Sequence, residues 1–298
     1  MATYNLANRF VSIEPSLPQI ETLATAETVR PGTGLLPPRP AARTEQVFLG
    51  DGQLGRHRRR IECGWSRQGY ALRVDGVGQF HISADGGRIR PREVRVPRSS
   101  VDLAETVLGP AVTLALALQD VWCLHASAIA SGGAVTAFVG ESGAGKSTLA
   151  RELPRLDPSL CCGADDVLPV AIEDGAAWAL PRFPQLKYRF DRQPGEALPD
   201  RLPLTRIFVL SPPRPVETEP AEGAVVVERL DGYAAALALV RHTVAAKLFT
   251  EDLLRRHVEA CAKLAERVEI ARLCYPRRLD ALSRVGETIF APGSKSGS

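Results

Sequence analysis

Short apolar runs broken by glycine occupy the first third of the chain, and longer helical and strand-like runs occupy the rest. Positions 60–63, 70–74, 79–82 and 88–89 alternate apolar with polar side chains, with turns at Asp75-Gly76 and Asp85-Gly86-Gly87. A period of two interrupted by Asp-Gly turns predicts a small antiparallel β-meander. From Val101 the pattern lengthens. Positions 102–118 read as helical, with one break at Gly109-Pro110, because a proline ring removes a backbone donor and clashes with the preceding turn. The wholly apolar run 134–139 predicts a buried strand, followed by a short helix from Lys146 to about position 153 and a half-apolar stretch at 160–163. Two helices close the pattern. Positions 231–248 are rich in alanine and leucine, and 251–270 place Leu254, Val258, Cys261, Leu264 and Val268 on one face, with Glu251 and Asp252 in the first turn.

These shifts divide the chain into four stretches. Residues 1–45, with Pro31, Pro37, Pro38 and Pro40, predict an irregular arm or linker. Residues 46–100 predict a β-rich N-terminal domain, 101–292 an α/β domain, and 293–298 a flexible tail.

Chemistry enters at the end of the apolar run 134–139. Gly140-Glu141-Ser142-Gly143-Ala144-Gly145-Lys146-Ser147-Thr148 satisfies the P-loop pattern G-x-x-x-x-G-K-[ST] in full. Three glycines let successive amide N–H groups turn inward on phosphate oxygens, and the positive end of the following helix adds to that field. Lys146 supplies a cation for the β- and γ-phosphates, and the Ser147 hydroxyl can join a Mg²⁺ shell. A nucleoside triphosphate is the expected ligand.

Downstream, Ala164-Asp165-Asp166-Val167 places two adjacent carboxylates at the end of a predicted strand. One acid at such a place serves the metal, and the second can accept a proton from a hydroxyl that attacks the γ-phosphate. Spacing alone does not assign the two roles. Upstream, Leu124-His125-Ala126-Ser127-Ala128 reads as a strand, and Ser131-Gly132-Gly133 supplies a turn into the P-loop strand. That hairpin would bring His125 near the phosphates, able to bond an Asp or the γ-phosphate. Two further segments carry basic groups toward the same region: Lys187-Tyr188-Arg189, which reads first as an ordinary surface strand, and Arg241-His242.

Composition narrows the classes. The chain has 298 residues, 45% hydrophobic and 24% charged, with a formal net charge of +3. That balance gives no support for nucleic-acid binding, and the basic run Arg56-His57-Arg58-Arg59-Arg60 reads as a solvated edge. The stretch 107–118 is too short to span a membrane, and no basic start with an apolar run and cleavage site indicates secretion. A cytoplasmic protein without membrane partners is expected. The six cysteines show no C-x-x-C spacing, so reduced thiols are the default. No Leu-Ser-Gly-Gly-Gln-like signature follows the P-loop and no Asn-Lys-x-Asp motif is present, which sets aside ABC ATPases and GTPases.

The ordered set Leu124-His125, Gly-Glu-Ser-Gly-Ala-Gly-Lys-Ser at 140–147 and Ala-Asp-Asp at 164–166 resembles HPr kinase/phosphorylase over roughly 102–289. Leu124-His125-Ala126-Ser127-Ala128, the Gly-Lys-Ser-Thr-Leu-Ala run at 145–150 and the stretch 202–210 are similar to the shorter HPr-kinase-like kinases of lasso-peptide biosynthesis. The resemblance implies an α/β fold with an HPr-kinase-like P-loop kinase domain at 101–292. It also implies transfer of the ATP γ-phosphoryl group, with Mg²⁺, to a serine of a peptide or protein substrate. Catalytic positions would be His125, Lys146, Asp165 and Asp166; ATP would lie on Gly140 through Thr148, and Mg²⁺ on Ser147 and Asp165. Thr148 stands where HPr kinases usually carry Glu, and no segment like their glycine-arginine signature follows, so the resemblance leaves phosphorylase activity and HPr as a substrate open. HPr kinases assemble as hexamers, which leaves a homo-oligomer open. Two alternatives stand beside this reading: a small-molecule hydroxyl kinase, and a nucleotide-gated binding module without turnover.

Overall fold

The computed structural model describes residues 2–14, 44–54, 57–94, 100–185, 195, 197–211 and 224–290. Lys187-Tyr188-Arg189 and the tail 293–298 lie outside them. The chain forms two compact units in a mixed α/β arrangement. One comprises Met1–Cys123, Tyr188–Asp191 and Val244–His257; the other comprises Leu124–Lys187, Arg192–Thr243 and Val258–Ser298.

The first unit is built on seven strands: β1 (Ala2–Leu6), β2 (Arg9–Ile13), β3 (Glu45–Leu54), β4 (His57–Ser66), β5 (Gly69–Val74), β6 (Gly78–Ser83) and β7 (Arg88–Val94). Their order is β1-β2-β7-β6-β5-β4-β3, antiparallel throughout except for the parallel β2–β7 pair. Alternation along β5 and β6 buries Tyr70, Leu72, Val74, Phe80 and Ile82 on one face. The start of the chain differs from the irregular arm expected there. Residues 2–13 form a hairpin turning at Ala7 and Asn8, at φ 51° and 57°, because Tyr4, Leu6, Val11 and Ile13 are available for burial. The prolines that suggested an arm all lie beyond that hairpin.

Two short helices pack on this sheet, α1 (Ser100–Thr106) and α2 (Val112–Leu118), separated by a π turn over Val107–Ala111. Gly109 at ψ −107° breaks the helix at the predicted Gly-Pro step. Gly86 is required where α2 meets the β6–β7 turn: at φ +70° a Cβ there would lie 2.1 Å from the Ala115 carbonyl oxygen.

Next, β8 (Trp122–Leu124) runs across the division between the units. The second unit contains β9 (Ala126–Ser131), β10 (Ala134–Val139), α3 (Lys146–Leu156), β11 (Cys161–Asp165), β12 (Leu168–Glu173), β13 (Ala176–Ala179), β14 (Leu202–Leu210), β15 (Val226–Arg229) and α4 (Gly232–Arg241). After these come α5 (Glu251–Arg267), which crosses the division, then β16 (Glu269–Cys274) and α6 (Leu282–Phe290). Strands run in the order β11-β9-β10-β14-β13-β12, with β16 beside β14 and β15 beside β16.

Direction matters more than order here. β10, β14 and β16 are parallel, and β9 is antiparallel to both β10 and β11. The C-terminal ends of β10, β11, β14 and β16 therefore share one edge, and β9 begins at it. Open sheets with parallel strands place ligands at that edge. Ile129, Phe138, Leu149, Leu153, Phe208, Leu273, Val285 and Ile289 fill the core on the side covered by α3 and α6, with the Phe138 and Phe208 rings stacked 6.1 Å apart.

Two helical expectations are revised. The single helix expected over 231–248 ends at Arg241, where His242 leaves helical geometry at φ −102° and ψ 17°, and Ala245 at φ 59° keeps it from resuming. In α5, Leu254 and Val258 are exposed at 41% and 47%, while Leu253, His257, Cys261 and Leu264 are buried. His257 sits against the Trp122 and Phe249 rings, at 5.1 and 5.5 Å, so the first half of the buried face lies one position earlier than expected, while Cys261 and Leu264 are buried as expected.

Candidate functional site

The loop between β10 and α3 is conformationally possible only with glycine at three positions. Gly140, Gly143 and Gly145 take φ 153°, 80° and 91°, a region that costs an L side chain dearly. Around Gly143 a Cβ would meet nothing within 4 Å, so that side of the loop is open. Glu141, Ser142, Gly143 and Thr148 are exposed, Gly145 and Ser147 half-buried, and Ala144 and Lys146 buried. The Lys146 ammonium turns back into the loop, donating to the carbonyls of Gly140 at 2.7 Å and Glu141 at 3.1 Å. Those bonds satisfy the buried ammonium.

Beside the loop, β9 and β11 bring His125 and the carboxylate pair to the same edge. The two acids have different surroundings. Asp165 is fully buried; its carboxylate accepts from the Ser127 hydroxyl at 2.9 Å and from Arg151 Nε and Nη2 at 2.9 and 2.7 Å. Antiparallel register explains the first contact, since Asp165 lies directly across from Ser127. Arg151 comes from α3, so the pair ties that helix to β11 under the loop. Asp166, one residue on, faces His125: Nδ1 lies 3.5 Å from its carboxylate and 3.2 Å from its own backbone oxygen. The Ala126 N–H donates to the same Asp166 carbonyl at 3.2 Å. Asp166 keeps 21% and His125 37% of their side-chain surface exposed, against 0% for Asp165.

Three further residues belong to this edge and escaped sequence reasoning. Buried Gln185 accepts from the N–H groups of Asp165 and Val167 at 3.2 and 3.1 Å and donates to the carbonyls of Val167 and Phe183 at 2.8 and 3.0 Å. It stitches the backbone on both sides of Asp166. Tyr275 and Arg277 follow β16, and a Cβ on Gly145 would come within 2.8 Å of both the Tyr275 hydroxyl and Arg277 Nη1. Burial pushes the Tyr275 phenol up, with Arg277 acting in the opposite sense. No local motif marks either residue; only the parallel β14–β16 pairing delivers them.

His242, at the end of α4, also lies at this edge: its carbonyl accepts the His125 N–H at 2.7 Å. Burial holds its imidazole below the ordinary range, opposed by the Glu141 carboxylate and reinforced by the Lys146, His125 and Arg241 charges. A neutral ring is therefore favoured next to the loop. The Cys162 thiol in β11 is pushed up to about 12 by burial and then by the neighbouring Asp165 charge, which keeps it an unreactive thiol. Among the described residues no group of three or more His, Cys, Asp or Glu side chains is placed to hold a metal by protein ligands alone, and no helix is long and apolar enough to cross a membrane.

No family model and no curated protein matches this chain. Among solved structures, the HPr(Ser) kinase/phosphatase from Coxiella burnetii is similar over 56% of this chain and 93% of its own, at 13% sequence identity and a TM-score of 0.32.

Proposed function

We propose that this chain is an ATP-dependent kinase that transfers the γ-phosphoryl group to a serine hydroxyl of a peptide or protein. The observation that carries the reading is the meeting, at one sheet edge, of a positive-φ glycine loop with its lysine and a His125–Asp166 pair. The residues fit Mg·ATP: the loop has an open side at Gly143, its lysine donates to the Gly140 and Glu141 carbonyls of that loop, and Ser147 would join the metal's shell beside the phosphate oxygens, while Asp165, enclosed by Ser127 and Arg151, is left a supporting role rather than that of a metal ligand. Bound Mg²⁺ supplies charge neutralisation at the β- and γ-phosphates.

Lys146 would exchange its bonds to Gly140 and Glu141 for phosphate oxygens, so that the cation is already in place when charge develops. Asp166 would accept the serine proton as the serine oxygen bonds to phosphorus and the bond to the β-γ bridging oxygen breaks, leaving ADP and phosphoserine. His125 orients the Asp166 carboxylate. Asp165, enclosed by Ser127 and Arg151, would fix the position of its neighbour, and Gln185 holds the same backbone from the other side. Catalysis would consist mainly of positioning and charge stabilisation.

The test is transfer of labelled γ-phosphate to a panel of serine-containing peptides, HPr and small hydroxylated metabolites, with Lys146→Ala as blank. Wild type is expected to label a peptide or protein serine. Asp166→Asn is expected to keep nucleotide affinity and lose transfer by roughly 10²- to 10⁴-fold, the usual contribution of a general base. Wild-type transfer rates in Asp166→Asn would overturn the assignment, and label appearing only on a metabolite would overturn the acceptor class.

A further inference from the structure

We infer that Arg277 is a positioning residue for the 140–148 loop, holding the Ala144–Gly145 peptide so that its amide faces the phosphate side. The inference rests on the nucleotide-binding reading above. One guanidinium nitrogen, Nη1, donates to the Ala144 carbonyl and the other, Nη2, to the Ser211 carbonyl, so a single planar fork ties the loop to the tip of β14. The guanidinium carbon also lies 5.0 Å from the centroid of the buried Tyr275 ring, which limits where the fork can swing.

Peptide geometry turns this contact into a function. A trans peptide is planar, with its carbonyl and N–H on opposite sides. Fixing the Ala144 oxygen on Arg277 therefore directs the Gly145 N–H away from Arg277. Gly145 is the N-cap of α3, where backbone donors have no partner within the helix and anions are favoured. Arg277 thus sets the direction of one donor at the place where a β-phosphate oxygen would sit. Gly145 suits this place through its φ of 91°, and a Cβ there, 2.8 Å from Arg277 Nη1 and the Tyr275 hydroxyl, would push the fork aside.

A second observation points to a ligand at the same junction. The Ser211 hydroxyl, on a residue only 7% exposed, has no hydrogen-bond partner among the described residues. A buried hydroxyl left unpaired is costly until something completes it. The start of the loop also approaches β14 closely, since a Cβ on Gly140 would lie 3.2 Å from the Leu210 oxygen. Loop and strand tip thus form one polar junction that Arg277 bridges.

The experiment measures binding of a fluorescent ATP analogue with Mg²⁺, at equilibrium and without an acceptor, for wild type, Arg277→Ala and Arg277→Lys. Both variants are expected to bind about ten- to a hundredfold more weakly, as befits loss of a charge-assisted pair that organises the site. Lysine is expected to fail because one ammonium cannot span both carbonyls in a plane. Millimolar guanidinium ion added to Arg277→Ala should restore part of the affinity, an effect that general loosening of the fold would not give. If Arg277→Ala does not fold, Arg277→Lys decides. Wild-type affinity in both variants, or no recovery with guanidinium, overturns the role of Arg277 while leaving the nucleotide reading intact. A wild-type protein that binds no nucleotide overturns both.

Discussion

The seven-stranded sheet of the first unit and the β9–β10–β11–β14–β16 group of the second handle polar residues in opposite ways. In β5 and β6 polar side chains alternate outward, and one face is filled by Tyr70, Leu72, Phe80 and Ile82. β9 and β10 are buried almost without interruption, and the polar groups buried in that unit include Ser127, Lys146, Asp165, Gln185 and Ser211. Apart from the cross-strand partner Ser127, these lie at or just beyond strand ends along the shared edge or, like Gln185, are bonded to it. Burying such groups is unfavourable unless each is matched by another polar group or by a ligand. The first unit also buries Ser12, Thr106, Thr113 and His257, but in the second most of the buried polar groups gather toward the edge that carries the glycine loop.

The largest test of that contrast is a core truncation in the antiparallel sheet. Phe80 is fully buried, and Phe80→Ala is expected to lower the unfolding free energy of its unit by about 3–5 kcal/mol. Urea unfolding followed by fluorescence of Trp65, which packs 4.6 Å from Tyr70, would register it. Nucleotide affinity of the folded variant should not move; if it falls with stability, the sheets are not separable in function. A smaller effect is expected from Arg151→Met, which leaves the fully buried Asp165 carboxylate without its guanidinium. With Arg151 itself 48% exposed, about 2–3 kcal/mol of destabilisation is expected on chemical denaturation. An unchanged midpoint would mean that Asp165 is held by Ser127 and its backbone setting alone.

What the sequence made legible was local. The run Ala134–Val139, the glycine loop, Lys146 and the helix behind it are contiguous, and Gly132 and Gly133 at φ 55° and 78° close the hairpin that sets His125 beside them. Asp165 and Asp166 stand at the end of a short strand as their spacing implied, yet nothing in two adjacent aspartates says that one will be enclosed by Arg151 and the other half-buried beside His125. That depends on which face of β11 meets α3. Gln185 and Arg277 lie 20 and 133 residues from the groups they hold, and their contacts exist only because of strand pairing across the sheet. The β1–β2 hairpin was missed for a related reason: its parallel pairing with β7 joins residues far apart in sequence. In α5 the buried face begins with Leu253 and His257 rather than Leu254 and Val258, because a pattern built from apolar residues does not count a histidine that packs on aromatic rings.

His257 offers the most selective test, with the smallest effect at neutral pH, because it is a buried polar group of the first unit. Its ring lies among Trp122 and Phe249, and burial lowers its pKa from 6.5 to about 4. In the unfolded chain it would titrate near 6.5, so between those values the unfolded state binds more protons than the folded one. Stability is therefore complete above about pH 6.5, falls as pH drops toward 4 and levels off below that, with a loss of about 3 kcal/mol at about 1.4 kcal/mol per pKa unit. Replacing the imidazole by Phe should flatten that limb while leaving the neutral-pH value within about 1.5 kcal/mol, since an apolar ring of similar size suits the surrounding aromatics. A His257→Phe variant that loses as much stability between pH 6.5 and 4 as wild type would assign the acid sensitivity to other groups, with the His242 imidazole at the loop edge the next to be replaced.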